Sequence, residues 1–358
     1  MPNWLESMTQ TFEYYIVDPG TWMDKTLITT VTSSDITRDS ELETLGSASI
    51  EITDSVGECY IRIYLVTIQN GVTEKHPLGT FLVQTPGTSF DGKVQTVSMD
   101  AYTPLLELKE KQPPLGYSIF KDENVMDYVY RLSRENMRAP VVYTKSDIKL
   151  FSDFVAQPDD NWVTFNRDLA AYAKYEFDLD EMGRLLFAPK QETAALQPVW
   201  TYNDDNSSIL QPAISINHDL YGIPNVVEVI YSTASEYYYA KVINDDPNSP
   251  TSTVSRGREI PHRITDPDVM LITNESDEKK QKRIEEYAER VLKELSSAEY
   301  KITYTHGYCP VRRNDCVRLN YEKAGLVDVK ARVISQTIKC EAGCQVTETA
   351  IFTKKLWR

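Results

Sequence analysis

The chain has 358 residues, enough for two or three domains with separate cores. Its 38 Lys and Arg stand against 53 Asp and Glu, a formal charge of -15. That balance argues against a general grip on nucleic acid, which needs cations to neutralise phosphates, although it suits a wall along which DNA slides without sticking. The hydrophobic fraction of 41% and charged fraction of 25% are those of a soluble globular protein. No apolar run approaches the ~18 residues of a membrane-crossing helix. The start, "MPNWLESMTQ", lacks the basic and apolar regions of a signal peptide, so the chain is expected to be made and first kept in the cytoplasm.

Residues 21–104 read as β structure. "LITTV", "SASIEI", "CYIRIYLVTI", "GTFLVQ" and "VQTVSM" are rich in β-branched and aromatic residues, and glycines with "NG" and "DG" pairs punctuate them. Several short strands at this spacing predict a small antiparallel barrel or sandwich over residues 1–104. "KQPPLGY" breaks the pattern. "DENVMDYVYRLSRENM" then predicts a helix with Asp122 as its cap, and "PVVYT" a strand. In "NWVTFNRDLAAYAKYEFDLDEMGRLLFAP", Asn161 caps a second helix, Asp180, Glu181 and Gly183 turn the chain, and "LLF" forms a strand. Residues 105–205 are therefore expected to form an α+β middle domain.

β character returns in "NVVEVIYS" and "EYYYAKVI". "NDDPNSPTSTVSRGREIPHRITDPD" predicts a long polar loop, and Ser276 caps a helix whose Ile284, Ala288 and Leu292 share a stripe. Glu278/Lys282, Glu286/Arg290 and Glu289/Lys293 are spaced for ion pairs along it. Such a helix is expected to cover a sheet. "YKITYT", "DCVRLNY", "VDVKARVISQTIKC" and "CQVTETAIF" close the chain as strands. The fold class is thus β-rich α+β. Two small antiparallel barrel or sandwich domains (1–104, and 206–243 with 298–358) flank the middle domain, with a loop-helix insertion at 244–297.

Two segments resemble each other. "FLVQTPGTSFDGKVQTVSM" and "RVISQTIKCEAGCQVTETA" each carry a strand with Gln-Thr, then a turn glycine, Gly92 or Gly343, then an alternating strand. "ECYIRIY" and "NDCVRLNY" precede them. This predicts an internal duplication, with two similar barrels in one chain.

Catalytic signatures are missing from the sequence. The four histidines show no metal spacing, and no nucleophile elbow, phosphate loop or zinc-protease motif occurs. The acidic pairs fall in turns, where aspartates accept local backbone hydrogen bonds. Four of the five cysteines, Cys309, Cys316, Cys340 and Cys344, crowd the last 50 residues, spaced C-x6-C and C-x3-C. Four thiolates are a ligand set for zinc or an iron–sulfur cluster. Small buried hydrophobes, or a pair that later forms a disulfide, are the other reading.

Taken in order, "SSDITRDSELETLGSASIEI", "LGTFLVQTPGTSFDGKVQTVSMDAYTPLLEL", "NWVTFNRDLAAYAKYEFDLDEMGRLLF" and "VRRNDCVRLNYEKAGLVDVKARVISQTIKCEAGCQVTETAIF" resemble the bacteriophage tail hub family of baseplates and tail tips. The resemblance spans nearly the whole chain. It implies a non-enzymatic structural protein of the virion tail, assembled in the host cytoplasm. It further implies a homotrimer whose six barrels join a six-fold tail tube to a three-fold spike or tip. The implied partners are a tail tube or distal tail protein, a spike or tip protein, and a tape measure protein, with DNA only passing through the lumen. Some tail-tip hubs hold an iron–sulfur cluster through four C-terminal cysteines, which favours the metal reading of Cys309, Cys316, Cys340 and Cys344. A tail-associated cell-wall hydrolase, or a carbohydrate- or receptor-binding module using the Tyr-rich "SEYYYA", are the alternatives, and a glycan array would separate the latter.

Overall fold

A computed structural model describes residues 2–54, 56–205, 208–233, 236–265, 267 and 275–357. Ser235 of the Tyr-rich run, Asp266 and Asp268 of the expected loop, and residues 206–207, where the second barrel was expected to begin, lie outside the described residues. Among the described residues no helix is long and apolar enough to cross a membrane. The chain forms two compact units, Met1–Ile214 with Thr303–Ala350, and Ser215–Ile302 with Ile351–Arg358.

The first unit opens with seven strands: β1 (Thr9–Val17), β2 (Asp24–Ile28), β3 (Val31–Asp39), β4 (Gly46–Ile52), β5 (Tyr60–Gln69), β6 (Val72–Phe90) and β7 (Gln95–Tyr102). A middle module follows, with α1 (Leu106–Lys109), β8 (Ser118–Ile119), α2 (Val125–Asn136), β9 (Phe154–Val155), α3 (Trp162–Tyr172), β10 (Tyr175–Leu179) and β11 (Leu185–Pro189). Next come β12 (Pro198–Asn203), β13 (Leu210–His218), β14 (Val226–Ser232), β15 (Tyr237–Ile243), α4 (Thr253–Arg256), β16 (Pro261–Thr265) and α5 (Asp277–Leu295). The chain closes with β17 (Ser297–Gly307), β18 (Cys316–Tyr321), β19 (Leu326–Lys339) and β20 (Gln345–Lys355).

The protein is β-rich α+β. Its large sheet runs in the order β13-β17-β20-β19-β3-β4-β7-β6-β5-β1-β2, with β12 and β18 branching from β19. Strands expected in two separate barrels thus join one path, and no closed barrel occurs among the described residues. The join is the pairing of β3 with β19, where Ile36 faces Ile338 and Arg38 faces Gln336. β5 lies between β1 and β6 and is buried on both faces, which is why "YIRIYLVTIQ" reads as a nearly continuous apolar run rather than an alternating one.

The two similar segments follow the same neighbour order, β5-β6-β7 and β18-β19-β20, with β5/β6, β6/β7 and β18/β19 antiparallel, and Gly92 and Gly343 each turn at φ +90°. Gln84 and Thr85 sit where the β6/β7 register shifts, whereas Gln336 and Thr337 pair with β3.

In the middle module, α3 starts in a capping box. Asn161 Oδ1 accepts from Val163 N (2.8 Å) and Thr164 N (3.0 Å), and Thr164 Oγ1 accepts from Asn161 N (3.0 Å). Phe165 and Leu169 pack with Val125, Val129 and Leu132 of α2 and with Phe177, Leu185 and Phe187 of the β10–β11 hairpin. Each such burial contributes about 1.5–3 kcal/mol. The cap of α2 is Asn124, which accepts from Asp127 N, and not Asp122 as expected. Asp122 sits at φ +67°, a turn conformation before the helix entry. "PVVYT" forms no strand. Val141 makes a single parallel bridge to Leu185, and the rest of the run is irregular.

In the second unit, β14 pairs with β15 antiparallel and with β16 in parallel. The expected long loop therefore holds a short helix and a strand, because "PHRIT" finds the open edge of β14. As expected, α5 covers this sheet, laying Ile284, Ala288 and Leu292 on Val227, Val229, Tyr238 and Ala240. Ser276 occupies its cap position without a side-chain cap bond. Lys293 pairs with Glu289 at 2.8 Å and Lys282 with Glu286 at 3.9 Å.

Candidate functional site

The densest polar chemistry of the first unit gathers around the tip of the β10–β11 hairpin. The sequence "DLDEMGR" makes that tip by local rules. Asp180 O accepts from Gly183 N (2.9 Å), Asp180 Oδ1 accepts from Arg184 N (2.8 Å), and Gly183 turns at φ +76°. A Cβ on Gly183 would stand 2.8 Å from Thr80 Cβ, so only glycine lets the tip seat against β6.

Four arginines receive the tip. Arg312 donates to Glu181 Oε1 (2.7 Å) and Leu179 O (2.8 Å), and Arg313 to Asp178 Oδ1 (2.6 Å). Arg62, 1% exposed, donates to Met182 O (3.2 Å), Thr80 Oγ1 (2.9 Å) and Asp24 Oδ1 (2.7 Å). Arg38 approaches Glu181 at 3.7 Å and donates to Leu78 O at 2.6 Å. Trp22 Nε1 also donates to Met182 O (2.7 Å). The space left beside the tip is about 40 Å³, lined by Arg38, Thr80, Asp178, Glu181 and Arg312 among others. That is room for a few waters. The tip therefore works as a clasp between β3, β5 and β6 and the loop before β18.

From Arg38 the network runs inward. Arg38 donates to Gln336 Oε1 (3.1 Å), and Gln336 Nε2 to Glu348 Oε1 (2.5 Å) and Val311 O (2.9 Å). Glu348 accepts further from Tyr304 OH (2.7 Å) and Tyr202 OH (3.2 Å), and stands 3.3 Å from His306 Nε2. His306 Nδ1 lies 2.6 Å from Gly307 O, so both ring nitrogens face acceptors, which suits the imidazolium. Burial alone would lower the His306 pKa. Hydrogen bonds to Cys309 and Glu348 and the carboxylate charge overcome it and lift the group to about 10. The Glu348 carboxyl is pushed up by burial, but its bond to His306, that cation's charge, and the bonds from Tyr304 and Gln336 hold it below the usual range. A thiol, an imidazole and a carboxylate in sequence form a nucleophile-and-base set in outline. Here His306 and Glu348 are wholly buried and Cys309 nearly so, which leaves no surface for a substrate.

Sequence reasoning missed this cluster. The signal was alternation. Tyr304 and His306 are in phase with buried Ile302 on β17, and Glu348 with buried Val346 and Ala350 on β20, so all three had to point into the core.

The four cysteines expected as one ligand set are placed apart in kind. Cys309 Sγ lies 3.2 Å from Tyr202 OH, and Cys316, the first residue of β18, donates to Val317 O at 3.8 Å. Cys340 and Cys344 flank the β19–β20 turn. Burial raises both thiols, Cys340 to about 12. Among the described residues no group of three His, Cys, Asp or Glu side chains stands where it could hold a metal ion.

Large apolar groups are exposed on the middle module: Leu115 (89%), Phe120 (66%) and Phe151 (89%). Phe120 and Phe151 lie on segments joined by Asp122 N donating to Leu150 O at 2.8 Å.

No protein-family model matches the chain, and no curated protein sequence does. Solved structures do. A tail protein from Neisseria meningitidis MC58 is similar with a TM-score of 0.61 and 12% identity, over 97% of this chain and 98% of that one. The 43 kDa tail protein of prophage MuSo2 from Shewanella oneidensis is similar with a TM-score of 0.60 and 13% identity, over 95% and 98%. An E. coli component of the type VI secretion system, itself described as structurally similar to the T4 bacteriophage tail proteins gp27 and gp5, gives 0.50 and 9% over 92% and 75%. At these identities what is shared is the fold, and it is the fold of tail proteins along nearly their whole length.

Proposed function

We propose that the chain is a structural hub of a phage-type tail. Three copies form a ring that joins a six-fold tube, through a tail tube or distal tail protein, to a three-fold spike or tip, around the path of the tape measure protein and the DNA. The observation that carries this reading is the similarity to two tail proteins over 95% or more of both chains in each comparison.

The paired hairpins β6–β7 and β19–β20 support it. A chain that repeats one tube-like unit presents two per copy, and three copies then match a six-fold partner. In this reading residues 1–104, and 206–243 with 298–358, supply the two tube-like units, while 105–205 and 244–297 decorate the ring. Sheet edges such as β2 find cover in the assembly. The clasp fits the same role. A charge-assisted junction between strands near the start of the chain and the loop before β18 makes the subunit rigid. The exposed Leu115, Phe120 and Phe151 are the contacts offered to neighbouring copies or to the tip.

Light scattering on the purified protein, or copy counting in assembled tails, tests the proposal. Three copies per hub are expected. A closed two-fold dimer in the assembled particle would rule it out.

A further inference from the structure

β19 ends at Lys339 and β20 begins at Gln345, and the two strands are neighbours in the sheet. Cys340 and Cys344 are thus the first and last residues of the connection. A disulfide spans Cα atoms roughly 4.4–6.8 Å apart, and the two ends of so short a connection between neighbouring strands, whose facing residues stand roughly 4.5–5.5 Å apart, come near that range. The connection is a tight one. Cys344 N donates to Glu341 O at 2.9 Å, and Cys344 itself lies at φ +37°, folding the chain back on its start. Cys340 N is held by Ser34 O at 3.0 Å. Both thiols lie within electrostatic reach of one hydroxyl, that of Tyr14, which sits 2.8 Å from Ser34 Oγ.

We infer that Cys340 and Cys344 are a dithiol that closes to a disulfide by exchange with a small-molecule disulfide. Their accessibility differs, and that sets the order of events. Cys340 is partly exposed and Cys344 is fully buried. The Cys340 thiolate attacks one sulfur of the oxidant, forming a mixed disulfide and releasing one small thiol. The Cys344 thiolate then attacks the Cys340 sulfur, forming the internal bond and releasing the second small thiol. The two protein protons end on the two released thiols, so the oxidant is reduced by two electrons and the protein oxidised by two. Buried thiols react slowly, so the pair stays reduced in a glutathione-buffered cytoplasm and closes on long exposure outside it. The bond would staple the turn between the two closing strands of the sheet. The inference rests on the geometry of the turn and holds whether or not the protein is a tail hub.

The test is to incubate the native full chain with oxidised glutathione, alkylate the remaining thiols and map the peptides by mass spectrometry. The expected product is an intact chain whose 340–344 segment has lost about two mass units and carries no glutathione. Cys344→Ala, which leaves a small apolar residue in the buried position, is expected to stall with one glutathione on Cys340. If the wild-type chain also stalls at that adduct, if Cys340 joins a cysteine other than Cys344, or if both thiols remain fully alkylable, the inference is overturned.

Discussion

His306 Nε2 stands 3.3 Å from Glu348 Oε1, with both side chains wholly excluded from solvent. An isolated charge there would be prohibitive, and the pair persists because each partner finds further hydrogen bonds. The consequence is a pH dependence with a definite sign. The His306 pKa is raised to about 10, so its contribution is full below the unfolded value near 6.5 and is lost as pH rises through 10. The Glu348 pKa is lowered, so its contribution is present above about 4.5 and lost as pH falls below that. Melting temperature should therefore plateau between these limits and fall on both sides. His306→Gln should flatten the alkaline limb and cost about 3–5 kcal/mol at neutral pH, because it leaves Glu348 buried without its counter-charge. An alkaline limb unchanged in the variant would refute the assignment.

Gly183→Ala should destabilise the first unit. The left-handed backbone costs an alanine about 1–2 kcal/mol, and the clash with Thr80 adds to it. Urea denaturation with an unchanged slope and a lower midpoint is the expected reading.

Arg62→Met removes bonds to Thr80, Asp24 and Met182 while keeping much of the side-chain volume. A loss of about 2–3 kcal/mol is expected, since the buried Thr80 hydroxyl loses its donor and Asp24 its charged partner. Arg62→Lys should restore little of it, because one ammonium cannot reach the acceptors that the planar fork spans. Full rescue by lysine in the same denaturation assay would show that charge alone matters.

Phe120→Asp and Phe151→Asp sit at exposed positions and should leave monomer stability within about 0.5 kcal/mol of the parent. Under the proposed hub role they should weaken association, read by light scattering across a concentration series. Association equal to that of the parent chain would remove these residues from the contact surface.

Binding to random duplex DNA should be weak at physiological salt, as the formal charge of -15 requires. Tight, salt-sensitive binding in a filter or anisotropy assay would contradict a lumen that lets DNA pass.

What could be read from the sequence was what short-range physics controls. The cap at Asn161, the stripe of Ile284, Ala288 and Leu292, the turn at Asp180–Gly183 and the likeness of the two hairpins all follow from spacing within a few residues or from direct repetition. Local rules failed where a distant strand decided the outcome. "PHRIT" became a strand because β14 had an open edge, and "PVVYT" did not because it met only a single bridge at Leu185. The joining of β3 to β19 across some 300 residues was likewise beyond any window.

The chemistry divides in the same way. Sequence alone showed that cysteines crowd the C-terminal strands and that catalytic motifs are missing. The turn at Gly343 that Cys340 and Cys344 share was legible as well, and only the tertiary structure decided that Cys309 joins Tyr202, His306 and Glu348. The reason is physical. Spacing sets which face of its own strand a side chain occupies. Which other side chains it meets depends on strand order and register, and these are settled by the burial of many residues at once rather than by the few around each cysteine or histidine.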